Sequence, residues 1–178
     1  MAHKEQYEFC SEVVNINKEL FKNKKVLDCG SLDINGNNRH MFTNCEYIGI
    51  DVGSGKNVDV VSTIHEYPGK DEEFDVIVST ECAEHDMHWR ESLENIVRML
   101  KSGGIFVFTR ATHGRAEHGT RRSSPKDAPL LQGEWSDYYK NLDETDIRSA
   151  IDIENTFKLF EFSVHNGHKD LQFWGIKR

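Results

Sequence analysis

The sequence predicts an α/β fold in which helices cover both faces of a mostly parallel sheet, giving a three-layer sandwich. Three observations favour it. Short, nearly continuous apolar runs recur between residues 26 and 108, an amphipathic helix lies between the last two runs, and the C-terminal region alternates apolar with polar residues. Such runs are typical of strands buried on both faces. The chain has 178 residues, enough for one core, and we expect a single domain over residues 1–178.

The first part of the chain is predicted to supply an N-terminal helix and four strands. The helix falls within residues 1–22, where apolar positions from Cys10 to Phe21 follow a helical spacing. The strands are expected at 26–28, 47–51, 58–61 and 74–79, and a fifth at 105–108. The first strand should turn sharply at Gly30 and lead into a second helix.

The clearest helix lies between the fourth and fifth strands. Its sequence is HWRESLENIVRMLK, in which Leu93, Ile96, Val97 and Leu100 fall at i, i+3, i+4 and i+7. We expect Asp86 to be its N-cap, with His88 in the first turn, and the pair at 103–104 (Gly-Gly) to end it. Strand, helix and strand in this order predict a right-handed parallel crossover.

Residues 110–133 form a polar loop without periodicity, and loops of this length are usually functional or mobile. The loop is locally basic, with Arg110, Arg115, Arg121, Arg122 and Lys126. It is either a solvated surface loop or a lid whose arginines pair with an anionic acceptor, because guanidinium matches carboxylate and phosphate. The aromatic residues that follow could wall the acceptor pocket or belong to the core; they are Trp135, Tyr138 and Tyr139.

The C-terminal region is predicted to add one helix and an antiparallel hairpin. Asp143 should cap the helix, flanked by the apolar pair Leu142 and Ile147. Alternating apolar residues at 160–164 and 173–176, with a His-Asn-Gly turn at 165–167, predict the hairpin that completes the sheet.

Composition excludes several classes of function. A net charge of −8 argues against a general nucleic-acid binder, which needs a basic surface. No stretch approaches the roughly 18 apolar residues that span a bilayer. The N-terminal ten residues lack an apolar signal core. The four cysteines are scattered, with no CxxC pair, and we interpret them as reduced thiols of a cytoplasmic protein.

The stretch VLDCGSLDING at residues 26–36 predicts a ligand site. A glycine turn after a parallel strand exposes backbone N–H groups and lets a ligand approach closely. Asp51 ends the next strand, where an acid can accept both hydroxyls of a ribose. Asp28 and Asp33 in the turn would repel a pyrophosphate but suit a cation. The pattern therefore favours S-adenosylmethionine, which carries an ammonium and a sulfonium, over NAD.

At this point the sequence resembles the class I S-adenosylmethionine-dependent methyltransferases of the broad "methyltransferase type 11" kind. The first motif is VLDCGSLDINGNNR, followed by YIGIDVGSGKNVDVV for the second strand. FDVIVSTECAEHDMHWRESLENIVRMLKSGGIFVFT resembles the fourth strand, its Glu-His loop, the helix and the fifth strand. The resemblance covers residues 24–176 and implies a Rossmann-like sheet of seven strands, the last one antiparallel.

The resemblance also implies roles for particular residues. The expected contacts with S-adenosylmethionine, and with its product S-adenosylhomocysteine, come from Asp28, Cys29, Gly30, Ser31, Asp51, Val52, Ser62, Thr63, Thr80 and Glu81. Of these, Thr80 and Glu81 would face the reactive methyl group. Leu32 departs from the family pattern, because many relatives have a second glycine there, so the loop would pass the cofactor differently, using Asn35 and Gly36.

Histidines raise two further possibilities. The stretch at 81–88 combines carboxylates and imidazoles, which are good metal ligands. The Glu-His pair also fits the family's loop without a metal, and we expect no bound metal ion. His85 and His113 are candidate bases for an acceptor that must lose a proton. A structural His85 bonded to the backbone is the alternative.

We therefore expect methyl transfer to a small-molecule acceptor, with no nucleic-acid or membrane partner. If the loop at 110–133 is a lid, its arginines favour an anionic acceptor. A protein that binds or cleaves S-adenosylmethionine without methylating, and a nucleotide-dependent oxidoreductase, are the alternatives. The absence of GxGxxG speaks against the oxidoreductase.

Overall fold

The computed structural model describes residues 3–178, and these contain a seven-stranded sheet. The strands are β1 (Lys25–Cys29), β2 (Glu46–Asp51), β3 (Val60–Val61), β4 (Phe74–Thr80), β5 (Leu100–Ala111), β6 (Phe157–His165) and β7 (Asp170–Lys177). Their order is β3-β2-β1-β4-β5-β7-β6. Strands β1 to β5 pair in parallel, and β7 is antiparallel to both of its neighbours. The predicted α/β sheet with a C-terminal antiparallel hairpin is confirmed.

Helices cover both faces of the sheet. They are α1 (Lys4–Ile16), α2 (Trp89–Met99), α3 (Glu144–Ala150) and α4 (Ile153–Thr156). One face is packed by α1, through Cys10 and Val13. The other face is packed by α2 and α3, through Leu93, Ile96 and Ile147. This arrangement brings the N-terminal end of α1 and the loop before α2 to the same edge of the sheet, where β1, β2 and β4 end.

The helix expected after β1 is absent: within the described residues, the segment from 30 to 45 holds only a 3₁₀ turn at Arg39–Met41. Local hydrogen bonds explain the difference. The Asp33 carboxylate accepts the N–H of Gly36 at 2.8 Å and the side-chain amide of Asn37 at 2.9 Å. Short polar side chains of this type offer the backbone an alternative to helical hydrogen bonding. Gly36 also has a φ of 144°, which is incompatible with a helix.

The boundaries of α2 differ from the prediction as well. His88 occupies the N-cap position, while the Asp86 carboxylate accepts the His88 N–H at 2.8 Å and the Ser92 hydroxyl at 2.5 Å. The helix ends at Met99 and β5 begins at the next residue, where Leu100 pairs with Phe74. Gly103, with a φ of 77°, therefore lies inside β5, near the shift in its register with β4, and does not end the helix.

Two further segments bear on the predictions. The N-terminal helix stops at Ile16 and a 3₁₀ turn follows at Lys18–Phe21, while β3 is limited to Val60–Val61. The predicted cap of α3 is confirmed: Asp143 accepts the N–H of Asp146, whose carboxylate accepts the Asp143 N–H. None of the helices within residues 3–178 has the length and apolar character needed to cross a membrane.

Candidate cofactor and acceptor site

The turn after β1 is tied to the end of β2 and lies directly beneath the loop after β4. The N–H groups of Gly30 and Ser31 both donate to the carbonyl of Ile50, each at 3.0 Å. Gly30 has a φ of 81°, and a Cβ at this position would lie 2.5 Å from Cys82 Sγ. Only glycine satisfies both the conformation and the close approach. The turn thus places a bare stretch of backbone between the ends of β1, β2 and β4.

Asp28 is a buried acid at this edge of the sheet, 1% exposed. Its carboxylate accepts hydrogen bonds from the Tyr47 hydroxyl and, at 3.3 Å, from the Asn38 amide. Asn38 also donates to Thr80 Oγ1 at 3.1 Å and accepts from Gln6 of α1 at 3.4 Å. Burial raises the pKa of Asp28 to about 6, although both hydrogen bonds favour the charged form. The hydrogen-bonding partners of this carboxylate are neutral, so its charge is available to a cation.

Asp51 ends β2, and its carboxylate is held by two backbone groups. One oxygen accepts the N–H of Leu32 at 3.0 Å and the other the N–H of Val52 at 2.8 Å. Leu32 therefore contributes to the site through its backbone, while its side chain packs against Gly55. The loop therefore accommodates a side chain where many relatives have a second glycine. Burial raises the pKa of Asp51 as well.

Three small cavities meet at Gly30. The first, of about 40 Å³, is lined by Asp51, Val52, Ser62, Thr63, Cys82, His85, Asp86, Leu131 and Trp135, among others. The second, of about 30 Å³, is lined by Asp28, Ser31, Leu32, Asn38 and Thr80, among others. The third, of about 70 Å³, is lined by Leu32, Glu81, Cys82, His85 and Leu131, among others. The structure therefore brings nine of the ten predicted cofactor residues to adjoining spaces. Cys29 is instead fully buried in the core below.

A segment of the polar loop covers these cavities. Leu131 and Trp135 line the first cavity opposite Asp51, and a Cβ at Gly53 would lie 3.2 Å from Leu130. The Trp135 ring faces those of His65 and His88, with centroids 6.4 and 5.8 Å apart. Trp135 thus lies over the predicted nucleoside side of the site. Leu130 and Leu131 were not among the predicted site residues. They form an apolar pair inside a polar loop, a pattern that indicates a segment packed against the protein.

Glu81 is drawn into an ionic network and does not project freely into the cavities. It adopts a φ of 51°, its N–H donates to the Thr109 carbonyl at 2.8 Å, and one carboxylate oxygen accepts the Thr109 hydroxyl at 2.8 Å. The other oxygen lies 3.7 Å from Nε2 of His3. Burial opposes charge on Glu81, but the hydrogen bond and charge of His3 outweigh it and lower the pKa to about 2.

The two candidate bases lie in different places. His85 lines two of the cavities, and its buried Nδ1 has no hydrogen-bond partner among residues 3–178. Burial, reinforced by nearby His118, lowers the pKa of His85 to about 3, so the ring is neutral. His113 is exposed, and its Nε2 lies 3.0 Å from the Asp143 carboxylate at the N-cap of α3. The structure brings His85 to the site but not His113.

The basic residues of the loop are engaged within the chain. Arg115 pairs with Asp170 at 2.9 Å, Arg121 pairs with Asp137, and Arg122 pairs with Glu117 at 3.1 Å. Arg110 is 1% exposed and stacks on Phe108, 3.9 Å from the ring centroid. The local positive charge seen in the sequence is therefore largely compensated by neighbouring acids.

Comparison with known proteins agrees with this geometry. Residues 27–108 match the family model described as a methyltransferase domain. A search of curated proteins with the sequence finds no match.

Solved structures share the fold at low sequence identity. The 1,6-didemethyltoxoflavin-N1-methyltransferase of Burkholderia thailandensis, solved with 1,6-didemethyltoxoflavin and S-adenosylhomocysteine, superposes with a TM-score of 0.65 at 13% identity, covering 97% of this chain and 79% of its own. The YcgJ protein of Bacillus subtilis gives 0.60 at 13% identity, covering 95% and 98%. The CurJ carbon methyltransferase gives 0.59 at 16% identity; the alignment covers 87% of this chain but spans only about half of CurJ, 48%.

Proposed function

We propose that this chain, a class I S-adenosylmethionine-dependent methyltransferase whose family match covers residues 27–108, transfers a methyl group to a small-molecule acceptor. One observation carries the proposal. Two acids, the buried Asp28 and the half-buried Asp51, lie at the ends of neighbouring parallel strands, and the side-chain-free turn at Gly30 lies between them at the junction of three cavities. This is the arrangement that a cationic nucleoside derivative requires.

The residues present fit S-adenosylmethionine. Each carboxylate oxygen of Asp51 accepts one backbone N–H and keeps a second lone pair for a ribose hydroxyl. Val52, Ser62 and Thr63 line the same cavity and would border the adenine. At the other end, the Asp28 carboxylate, supported by Asn38, would face the ammonium of the methionine part.

Entry of a ligand of this size requires the covering segment to move. The first cavity holds about 40 Å³, whereas pockets for ligands of this class hold about 300–1,000 Å³. Leu131 and Trp135 are the side chains that close the cavity opposite Asp51. We infer that the segment around them swings outward to admit the cofactor and then covers it again, which would exclude water from the reacting groups.

The chain's contribution to the reaction is alignment and proton removal. Bound S-adenosylmethionine supplies an activated methyl group, so no strong nucleophile is needed from the protein. The walls formed by Gly30, Cys82 and Leu131 would hold the acceptor in line with that group. His85 remains the predicted base for a hydroxyl or amine acceptor, because it lines two of the cavities.

A small-molecule acceptor agrees with the small size of the cavities at Gly30. One structural neighbour, the 1,6-didemethyltoxoflavin-N1-methyltransferase, was solved with the small molecule 1,6-didemethyltoxoflavin bound. The anionic alternative for the acceptor has less support, because Arg115, Arg121 and Arg122 already pair with acids. A cytoplasmic location remains a prediction from the sequence.

Two measurements test the proposal. Calorimetry with S-adenosylhomocysteine and with NAD should give binding of the first and not of the second; the reverse result would exclude a methyltransferase. Incubation with S-adenosylmethionine and candidate acceptors, followed by mass spectrometry, should yield S-adenosylhomocysteine and an acceptor heavier by one methylene. Methylthioadenosine as the product would instead indicate cleavage, and the absence of both products in the presence of binding would indicate a binding protein.

A further inference from the structure

Glu84 is a buried residue whose carboxylate accepts no hydrogen bond from the described residues. It lies in a 3₁₀ turn (Ala83–His85) after β4 and is 0% exposed. Neither carboxylate oxygen has a hydrogen-bond partner among the described residues. Leaving such a group without a hydrogen bond is destabilising, and more so when the group is charged. The site therefore needs either a proton or a cation.

Two imidazoles converge on Glu84. His85 follows it directly, with a buried Nδ1 that also lacks a hydrogen-bond partner in residues 3–178. With an ion bound there, His85 would be a ligand and would no longer serve as the base for the acceptor's proton. His118 comes from the polar loop; its ring meets that of His85 edge-on, with centroids 5.1 Å apart. Its Nδ1 lies 3.1 Å from the Ala116 carbonyl, which leaves Nε2 for another partner. One ligand atom from each of the three residues lies within 4.8 Å of the other two.

We propose that Glu84, His85 and His118 bind a divalent transition metal ion, with Zn²⁺ as the ion that their chemistry fits best. Two neutral imidazoles and one carboxylate are a donor set that Zn²⁺ accepts, at bond lengths of about 2.0–2.2 Å. Small side-chain rotations would bring the three ligand atoms from their present separations to that distance. Three protein ligands leave a fourth position open, and His85 lines the cavities at Gly30, so this position would face them.

The buried Arg110 attracts Glu84 electrostatically but makes no hydrogen bond to its carboxylate oxygens. Its guanidinium is 1% exposed, but Nε and Nη1 likewise lack hydrogen-bond partners among the described residues. A bound cation would supply the missing charge directly. This conclusion departs from the sequence-based expectation that the chain holds no metal.

The nearby clusters around His3 are ion pairs of a different kind. His3 Nε2 lies 3.1 Å from Asp170, which also pairs with Arg115, and His168 lies 3.1 Å from Glu5. Burial opposes charge on His3, but its hydrogen bonds to Asp170 and Glu81 raise its pKa to about 10. A protonated imidazole has no free lone pair for a metal. These acids therefore have a basic side chain within ion-pair distance, whereas no ion pair among residues 3–178 includes Glu84.

Metal titration of the full chain tests the proposal without cofactor or acceptor, so it does not rest on the proposed methyl transfer. The protein is first freed of metal with a chelator, and Zn²⁺ is then titrated in competition with a chromophoric chelator. We expect one Zn²⁺ per chain. Co²⁺ in the same site should give the intense visible absorption of a low-coordinate ion with nitrogen and oxygen ligands.

Three variants locate the site. H118A removes a ligand on a loop and should weaken Zn²⁺ binding by more than about 100-fold, since even indirect partners of a metal contribute 10–100-fold. E84Q should do the same, and H118A keeps the test valid if E84Q fails to fold. H168A is the matched control in the His3 clusters and should bind as the unaltered chain does. Unaltered Zn²⁺ affinity in H118A, or loss of binding in H168A alone, would overturn the proposal.

Discussion

Replacement of Gly30 by alanine tests whether the turn after β1 depends on both its conformation and its close approach to Cys82. The backbone φ of 81° penalises any L side chain by about 1–2 kcal/mol. The new Cβ would also lie 2.5 Å from Cys82 Sγ and 2.6 Å from its Cβ, and overpacking of this kind costs about 1–3 kcal/mol. The free energy of unfolding should therefore fall by about 2–5 kcal/mol.

Gly103 provides a matched control for this experiment. Its φ of 77° is nearly the same, but a Cβ there would meet no atom within 4 Å. G103A should cost only the conformational part, about 1–2 kcal/mol. Denaturant unfolding of both variants measures the difference, and calorimetry with S-adenosylhomocysteine measures binding. G30A should lose affinity and G103A should not. If the two variants are equally stable and bind equally well, the packing of Cys82 over the turn does not shape the site.

Three further predictions concern the acids and the covering segment. D51N should weaken binding of S-adenosylhomocysteine by at least about tenfold, since a hydrogen bond to a charged group contributes about 1.5–3 kcal/mol. The control is D71N, at a side chain that is 78% exposed. If D51N and D71N bind S-adenosylhomocysteine with equal affinity, Asp51 is not the ribose ligand. Cofactor binding should change the tryptophan fluorescence of the unaltered chain, and W135F should remove most of that change. Binding without any change in the fluorescence of the unaltered chain would mean that the segment around Trp135 does not move. Burial raises the pKa of Asp28 to about 6. Between about pH 4 and pH 6 the folded chain therefore keeps a proton on Asp28, whereas the unfolded chain has already released it. The contribution of Asp28 to the free energy of unfolding is therefore highest at low pH and falls by about 3 kcal/mol as the pH rises to about 6. D28N should remove this part of the pH dependence, measured by chemical denaturation at several pH values. If the free energy of unfolding of D28N depends on pH as that of the unaltered chain does, the raised pKa of Asp28 is contradicted.

The strands and the two acids could be predicted from the sequence because local patterns determine them. Continuous apolar runs such as 74–79 are buried on both faces, and parallel pairing aligns the ends of β1 and β2, which brings Asp28 and Asp51 together. The helix predicted after Gly30 is wrong because hydrogen bonds accepted by the Asp33 side chain compete with helix formation, and the pattern of a strand followed by a glycine turn does not take them into account.

The contacts across the site depend on long-range folding. The covering of Asp51 by Leu131, and the approach of His118 to Glu84, join segments that are far apart in the sequence. Nothing in the composition of the polar loop specifies which of its side chains turns inward. The sequence therefore predicts which strand ends form the site but not which part of the loop closes it.

The position of β7 has a consequence for synthesis of the chain. Although it follows the other six strands of the sheet in the sequence, it pairs on one side with β5 and on the other with β6. Until residues 170–177 emerge, the long edge of β5 remains unpaired and β6 has no neighbour in the sheet. Nascent chains should therefore depend on chaperones at that stage, and the half of the sheet containing β1, β2 and β4 can form first, before the hairpin closes the other side.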